Sequence, residues 1–109
     1  MTPPIPKRGE IWWADLDPAR GGEIGKRRPV VVLGRNAINQ RRRTVVVVPL
    51  SSVLRVAPPL TVLVHCMSRE ATAAVDQIRA LDKSRLVEFI ERMDPSELTA
   101  IHNALVEIV

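Results

Sequence analysis

Two short runs of β-branched residues, PVVVLG at 29–34 and TVVVVP at 44–49, restrict the fold of this chain more than any other feature of its sequence. Valine side chains are stiff at χ1 and pack well on a pleated surface, and runs this short are typical of buried strands. We predict further strands at EIWWADL (10–16), TVLVH (61–65), AAVDQIRAL (73–81) and VEFIERM (87–93). The chain is therefore predicted to be mainly β.

The first predicted strand carries two adjacent tryptophans, Trp12 and Trp13. Successive side chains of a strand point to opposite faces, so we predict that one Trp anchors the core and the other faces outward. The aromatic share of the chain is only 3%, so most of the core must be built from Val, Leu and Ile.

A helix is predicted at the end of the chain. Asp94 is a suitable N-cap, Pro95 fits the first helical position, and Glu97 stands three residues after Asp94, as a capping box requires. The apolar stripe that follows consists of Leu98, Ile101, Leu105 and Ile108. Short strands followed by one amphipathic helix predict a small β+α domain, and a partly closed barrel would remove the exposed edges of an open sheet.

Three segments between the strands are predicted to be loops. DPARGGEIGKR (17–27) is rich in glycine and longer than a hairpin needs, which favours a flexible loop with a functional role, such as a movable wall for a ligand. PLSSVLRVAPPL (49–60) opens with a strand-breaking proline and is predicted to be a second extended loop. RNAINQRRR (35–43) is predicted to hold a turn of helix and a loop.

The length of 109 residues suffices for one modest core, so we expect a single domain over residues 9–109. Residues 1–8 contain three prolines and no periodicity, which predicts a flexible N-terminal arm. No apolar stretch has the length of a membrane span, no secretory signal is evident, and Cys66 is alone. A reducing, cytoplasmic location is therefore expected.

Charge is distributed unevenly along the chain, whose net charge is +4. Residues 1–60 carry eleven Lys or Arg against four Asp or Glu, a net +7, whereas residues 61–109 carry a net −3. Thirteen of the sixteen basic residues are arginine, whose planar guanidinium suits bidentate contact with phosphate. This favours a polyanionic partner, above all nucleic acid, with a solvated basic face as the alternative.

Most kinds of enzyme site are excluded by what the chain lacks. It has neither a phosphate-binding loop followed by Lys-Ser/Thr nor a dinucleotide-binding glycine motif. His65 and His102 are isolated, and Cys66 is the single cysteine, so neither a zinc site nor a Cys/His pair is expected. The carboxylates are scattered singly, which argues against a two-metal nuclease. We therefore expect no metal and no cofactor.

Cleavage of RNA is one reaction that needs none of these groups. The 2′-hydroxyl of RNA is an internal nucleophile that can attack the adjacent phosphorus once the backbone is splayed out and aligned. A protein then has to stabilise the developing charge with a fixed cation and a hydrogen-bond donor, and to move two protons. The products would carry a 2′,3′-cyclic phosphate and a 5′-hydroxyl, and DNA would not be cut.

Two segments offer the groups that such a site needs. Arg28 ends the basic stretch GKRR and directly precedes Pro29 and a buried strand, and Ser51 and Ser52 follow the second valine strand. If the two strands are neighbours, Arg28 and Ser51 can contact the same phosphate. Each also has a purely structural explanation, Arg28 as a charge at a strand edge and Ser51 as a turn-forming serine after a proline.

Three separated blocks of the sequence resemble the MazF/PemK family of type II toxin–antitoxin endoribonucleases. The blocks are RGEIWWADLDPARGGEIGKRRPVVVL (8–33), VVVVPLSS (45–52) and AVDQIRALDKSRL (74–86). The resemblance implies an SH3-like β-barrel with a C-terminal amphipathic helix that acts as a homodimer. It also implies sequence-specific, metal-independent cleavage of single-stranded RNA (mRNA), growth arrest, and silencing by a cognate antitoxin whose acidic, disordered tail overlaps the RNA site.

The resemblance further implies roles for individual residues. Arg28 matches the family's catalytic arginine before the proline, and Ser51 matches a position usually held by a catalytic threonine, with the hydroxyl retained. Because arginine stays protonated, we expect Arg28 mainly to stabilise charge. The residues expected to bind or position RNA are Glu23, Lys26, Arg27, Ser52, Asp76 and Gln77.

Two other functions stay open at this point. A basic barrel can bind RNA without cutting it, and one group of toxins with a similar barrel poisons DNA gyrase. Cleavage of RNA in the presence of EDTA would separate an enzyme from a binder. Trapped gyrase–DNA complexes together with uncut RNA would favour the gyrase poison, and Arg28 and Ser51 would then have no assigned role.

Overall fold

The computed structural model describes residues 5–109 and contains, within them, seven β-strands and two α-helices. The strands are β1 (Glu10–Asp15), β2 (Arg27–Val32), β3 (Thr44–Ser51), β4 (Thr61–Cys66), β5 (Arg69–Ala74), β6 (Arg79–Asp82) and β7 (Leu86–Arg92). The helices are α1 (Asn36–Arg41) and α2 (Pro95–Ile108). Helix α1 is the predicted turn of helix between the two valine strands.

All strand pairs are antiparallel, and the sheet follows the order β4–β5–β3–β2–β1–β7, with β6 added beside β3. Strand β3 joins the two halves of this sheet. Its first part pairs with β6, whereas Leu50 and Ser51 at its end pair with Ala73 and Thr72 of β5. The sheet curls into a half-barrel, which confirms the predicted mainly β class and the SH3-like barrel with a C-terminal helix.

The valines of both runs are buried except Val46, and they pack on both faces of the sheet, which is why no polar residue interrupts the runs. In β2, Val31 belongs to a core that also contains Ile101 of α2, whereas Val30 and Val32 belong to a second core on the opposite face. All three valines are completely buried. Residues at the ends of β2 and β3 are therefore held by strands whose middles are fixed in packed interiors.

Trp12 and Trp13 differ from the prediction, because both are half-buried and neither is a fully buried anchor. Trp12 packs against the second core and meets Phe89 edge to face, with ring centroids 5.8 Å apart. Its Nε1 donates to Glu10 Oε1 at 3.1 Å. The buried residues of both cores are aliphatic apart from Cys66 and Met93, and Trp12 packs at the margin of the second core.

Pro49 does not end its strand, and the predicted loop 49–60 therefore begins only after Ser51. The part of β3 that pairs with β6 ends at Val47, and the part that pairs with β5 begins at Leu50. Pro49 falls between the two, so its missing N–H removes no ladder hydrogen bond on that side. The same change of partner explains why the predicted strand 73–81 is interrupted by a 3₁₀ turn at Val75–Gln77.

Helix α2 begins as predicted, with Pro95 in the first turn and Asp94 Oδ1 accepting from the Ser96 amide at 2.8 Å. The hydrogen bonds from Ser96 lower the pKa of Asp94. The predicted apolar stripe packs through Leu98, Ile101 and Leu105. No helix in the described part of the chain has both the length and the apolar character needed to cross a bilayer.

The second half of the predicted capping box is wrong, because Glu97 turns away from the start of α2 and binds β4. Its Oε1 accepts from the His65 amide at 3.1 Å, and its Oε2 lies 2.6 Å from His65 Nδ1. This hydrogen bond raises the pKa of His65 above 6.5, and the negative charges of Glu70 and Asp94 act in the same direction. The pair links the helix to the edge of the sheet.

We expect the His65–Glu97 pair to stabilise the fold in a pH-dependent way. Because the pKa is raised in the folded state, the contribution is complete below the unfolded value of 6.5 and is lost as the pH rises through the folded pKa. Glu97→Gln keeps an acceptor for the backbone amide and removes the charge. Its unfolding temperature should fall furthest below that of the wild type under acidic conditions, and the gap should close at alkaline pH.

The control for this measurement is Glu107→Gln, which removes a charge from an exposed position of the same helix. Thermal unfolding of both variants between pH 5 and pH 9 checks the prediction. A gap between Glu97→Gln and the wild type that stays constant over this range would contradict it.

Part of the predicted N-terminal arm, residues 1–4, lies outside the described residues. In the remainder, the Lys7 amide donates to Glu10 Oε1 at 2.7 Å, and the Arg8 amide donates to Asn36 Oδ1 at 2.8 Å. The flexibility of the arm stays a prediction.

Candidate active site

A cavity of about 230 Å³ opens where β2 begins and β3 ends. Arg28, Ser51 and Ser52 all line it, together with Arg27. The antiparallel pairing of the two strands explains why these residues lie near one another: Val30 pairs with Pro49, Arg28 comes two residues before Val30, and Ser51 comes two residues after Pro49. The condition for a shared site, that the two valine strands be neighbours, is therefore met.

Arg28 is half-buried, and its Nε is covered but finds no hydrogen-bond partner within residues 5–109. Its backbone pairs with Ala14 of β1 on one side, and Pro29 follows it directly. A covered cationic donor without a partner is unfavourable unless an acceptor, and best an anion, reaches it. Strand pairing thus holds the backbone of Arg28, while its Nε keeps a donor without a partner among the described residues.

Ser51 is the last residue of β3 and is half-buried, whereas Ser52 is exposed. Ser51 Oγ accepts a hydrogen bond from the Val53 amide at 3.1 Å. This contact is the turn-forming role considered above, and it occupies an acceptor site of the hydroxyl while its proton stays free to donate. The structural and functional roles of Ser51 are therefore compatible.

The far wall of the cavity comes from the hairpin that joins β4 to β5, which brings in Met67 and Arg69. Met67 and Ser68 at its tip have positive φ values of 53° and 62°, and the Met67 amide donates to Glu91 Oε2 at 2.5 Å. Trp13 of β1 also lines the cavity. The sequence does not single out Met67 or Arg69, because only the folded hairpin brings them near Arg28.

The side chains around this cavity create a positive electrostatic environment. Three of the described lining residues are the arginines Arg27, Arg28 and Arg69, and none is a carboxylate. Trp13 adds a flat aromatic surface on which a base can stack. An anion with an attached planar group matches this lining, as in a nucleotide unit of RNA.

Cys66 also lines the cavity, but its thiol is buried. Burial raises the pKa of the thiol to about 11. The thiol is therefore protonated at neutral pH, which agrees with the structural role expected from its apolar sequence context. Within residues 5–109, no three side chains of His, Cys, Asp or Glu come together as a metal site.

Four of the predicted RNA-positioning residues lie outside the Arg28 cavity. Glu23, Asp76 and Gln77 line a separate cavity of about 290 Å³. The Glu23 carboxylate accepts from the Arg20 amide at 2.7 Å, inside its own loop. Lys26 is exposed and has a positive φ of 64°.

Gln77 holds the loop before β2 against the barrel. Its Oε1 accepts from the Ile24 amide at 2.7 Å, and its Nε2 donates to the Gly22 carbonyl at 3.3 Å. Within the loop, Asp17 Oδ1 accepts from the Lys26 amide at 2.6 Å. The predicted movement of this loop on ligand binding stays a prediction, and Gln77 is the contact that would have to yield.

Gly25 is required in this loop by close packing. A Cβ at this position would lie 2.6 Å from Asp17 Oδ1, the atom that holds the Lys26 amide, and 2.8 Å from the Ala19 Cβ. Any side chain would displace this contact. The glycine therefore gives the loop a defined shape where it enters β2.

Comparison with a family model and comparison with known sequences point to the same family. A family model described as a PemK-like, MazF-like toxin of type II toxin-antitoxin systems matches residues 7–109. The chain is 35% identical over 108 residues to Endoribonuclease MazF9 of Mycobacterium tuberculosis, with 91% of this chain and 92% of the relative covered.

Solved structures share the fold. The crystal structure of MazF (Form-I) from Deinococcus radiodurans matches with a TM-score of 0.86 and 25% identity, over 96% of both chains. An endoribonuclease from Mycobacterial species, solved in complex with its cognate antitoxin, matches in fold with a TM-score of 0.78 and 24% identity, over 94% of this chain and 92% of that one.

Proposed function

The chain belongs to the PemK-like, MazF-like toxins of type II toxin–antitoxin systems, and on that premise we propose that it is a sequence-specific endoribonuclease that cleaves single-stranded mRNA in the cytoplasm and arrests growth. The observation that supports the proposal most strongly is the cavity that Arg28, with an unpartnered Nε among the described residues, lines together with Ser51. Its lining provides the cation and hydroxyl that cleavage through the 2′-hydroxyl requires.

The proposed reaction is an internal transfer at phosphorus. The 2′-oxygen forms a bond to the phosphorus as the bond to the 5′-oxygen breaks. The 2′-hydroxyl loses its proton, and the leaving 5′-oxygen gains one. The products are a 2′,3′-cyclic phosphate and a free 5′-hydroxyl, and neither water nor a metal ion takes part in bond formation.

Arg28 would stabilise the charge that develops on the phosphoryl oxygens, and Ser51 would donate a hydrogen bond to the same group. Trp13 would stack on a neighbouring base. Arg27 and Ser52 line the same cavity and would bind the RNA backbone. The residues that would act from its flanks, by binding RNA or by holding the loop before β2, are Glu23, Lys26, Asp76 and Gln77.

As a toxin of this family, the protein would be silenced by a cognate antitoxin. The positive first half of the chain, with its net charge of +7, would attract the acidic, disordered tail of such a partner as well as RNA. Competition for one positive surface then explains silencing. We include a homodimer in the proposal, since pairing two such grooves would extend the RNA-binding surface.

The test is to incubate a mixed pool of single-stranded RNA with protein that has been treated with EDTA, and to map the ends. We expect cleavage at a short sequence motif with 2′,3′-cyclic phosphate and 5′-hydroxyl ends, and no cleavage of DNA of matching sequence. Intact RNA would overturn the proposal in favour of a binding protein. Intact RNA together with trapped gyrase–DNA complexes would indicate a gyrase poison.

A further inference from the structure

Thr72 carries a buried hydroxyl that the cleavage reaction above does not use. The residue is only 3% exposed, and its Oγ1 has no hydrogen-bond partner within the described residues 5–109. A buried hydroxyl without a partner destabilises a fold, and valine would give nearly the same shape without it. The hydroxyl therefore calls for an explanation outside the packing of the barrel.

The position of Thr72 connects it to the candidate active site. Thr72 in β5 lies directly opposite Ser51 in β3, and both line a cavity of about 400 Å³. Ser51 also lines the smaller cavity that contains Arg28. The two cavities are therefore neighbours along a strand pair, so one RNA strand can occupy both.

The two cavities differ in charge. Three arginines line the smaller cavity, whereas the larger has one arginine, Arg55, and one aspartate, Asp76. Phosphate is drawn to the first, and the balanced charges of the second suit a neutral base. Ile24 and Val53 give the larger cavity apolar walls that can cover the faces of a base, and its volume lies in the range of small-ligand sites.

We propose that the larger cavity receives the base next to the scissile phosphate, and that Thr72 is a specificity-determining residue there. This inference rests on the proposed endoribonuclease function. A rotation about the Cα–Cβ bond exchanges methyl and hydroxyl at the cavity wall, and the hydroxyl can then donate to or accept from a base edge. The Thr72 hydroxyl and the acceptor-only Asp76 carboxylate line the same cavity and can together accept both hydrogens of an exocyclic amino group, whereas uracil offers only its N3–H, so an amino-bearing base is preferred over uracil.

The test compares Thr72→Val with Thr72→Ser. Thr72→Val removes the hydroxyl and keeps the shape, so its unfolding temperature should equal or exceed that of the wild type. On a mixed RNA pool, its preference for amino-bearing bases over uracil at one position beside the cut should fall about fivefold or more. Thr72→Ser keeps the hydroxyl and should retain the preference.

A binding experiment separates failure of this inference from failure of the proposed function. A mixed pool of 2′-O-methyl RNA, which cannot react, is selected on each variant and sequenced. If the wild type enriches an amino-bearing base at one position and Thr72→Val does not, the subsite stands even without cleavage.

The matched control is Thr99→Val, which removes a hydroxyl from an exposed position of α2. It should keep the wild-type preference in both experiments. The inference is overturned if Thr72→Val and the wild type show the same preference at every position, or if the wild type shows none.

Discussion

Replacing Arg28 with alanine is expected to lower the rate constant for RNA cleavage by a factor of about 10³, as seen when a donor aimed at a developing charge is removed from other enzymes. The guanidinium lies in a cavity with Ser51, and its Nε is covered but has no partner within residues 5–109. Removing it therefore leaves no protein group unpaired, so the unfolding temperature should change little. Single-turnover cleavage of a short RNA and thermal unfolding check both parts.

Two further variants make the Arg28 experiment specific. Arg28→Lys keeps the positive charge and loses the planar fork, so it should recover only part of the rate. Arg42→Ala removes an equal charge from an exposed position outside the described cavity linings and should cleave at nearly the wild-type rate. An Arg28→Ala variant that cleaves as fast as the wild type would show that the reaction occurs elsewhere.

The strands were predictable because their signal is local. Uninterrupted valines indicate burial on both faces, and Val30 and Val31 do enter opposite cores. The prediction that the loop begins at Pro49 was wrong, because the effect of a proline depends on which strands lie beside it. Pro49 sits where β3 changes partners from β6 to β5, a property of the folded sheet that no local pattern contains.

That Arg28 and Ser51 line one cavity was predictable for a related reason. Arg28 and Ser51 each adjoin a valine strand, and two such strands that pair in antiparallel register bring those ends together. Arg69 could not be found in this way, because it reaches the cavity through a hairpin formed far along the chain. The sequence does not indicate a role for Thr72, because threonine is common in strands. Only the structure shows that its hydroxyl has no partner among the described residues.

Glu97 stands at the position of a capping-box residue, but its side chain makes a different contact. Its spacing from Asp94 fits a capping box, but the carboxylate binds the backbone amide and ring of His65. A sequence pattern indicates only the partners that lie within the same helix. It cannot predict a contact with a strand that packs against that helix. In the same way, the side-chain amide of Gln77 forms hydrogen bonds with the loop before β2, a contact that the sequence does not indicate.

Ser51→Ala is expected to lower the cleavage rate by about 10²-fold, because it removes the hydroxyl donor that lines the same cavity as Arg28. The variant also loses the acceptor of the Val53 amide, but that segment is exposed, so water can replace the contact at a cost of no more than about 1 kcal/mol in stability. Single-turnover rates and unfolding temperatures measured on the same samples separate lost chemistry from lost structure.

Ser52→Ala is the matched control for Ser51→Ala, because Ser52 is the next residue, lines the same cavity and is exposed. We expect its rate to stay within about threefold of the wild type, as for a group that contacts the RNA backbone without contacting the reacting atoms. Ser51→Thr restores the hydroxyl and adds a methyl group that restricts χ1, so it should retain cleavage. If Ser52→Ala fails and Ser51→Ala cleaves normally, the catalytic hydroxyl is that of Ser52 and the phosphate sits one residue further along the chain.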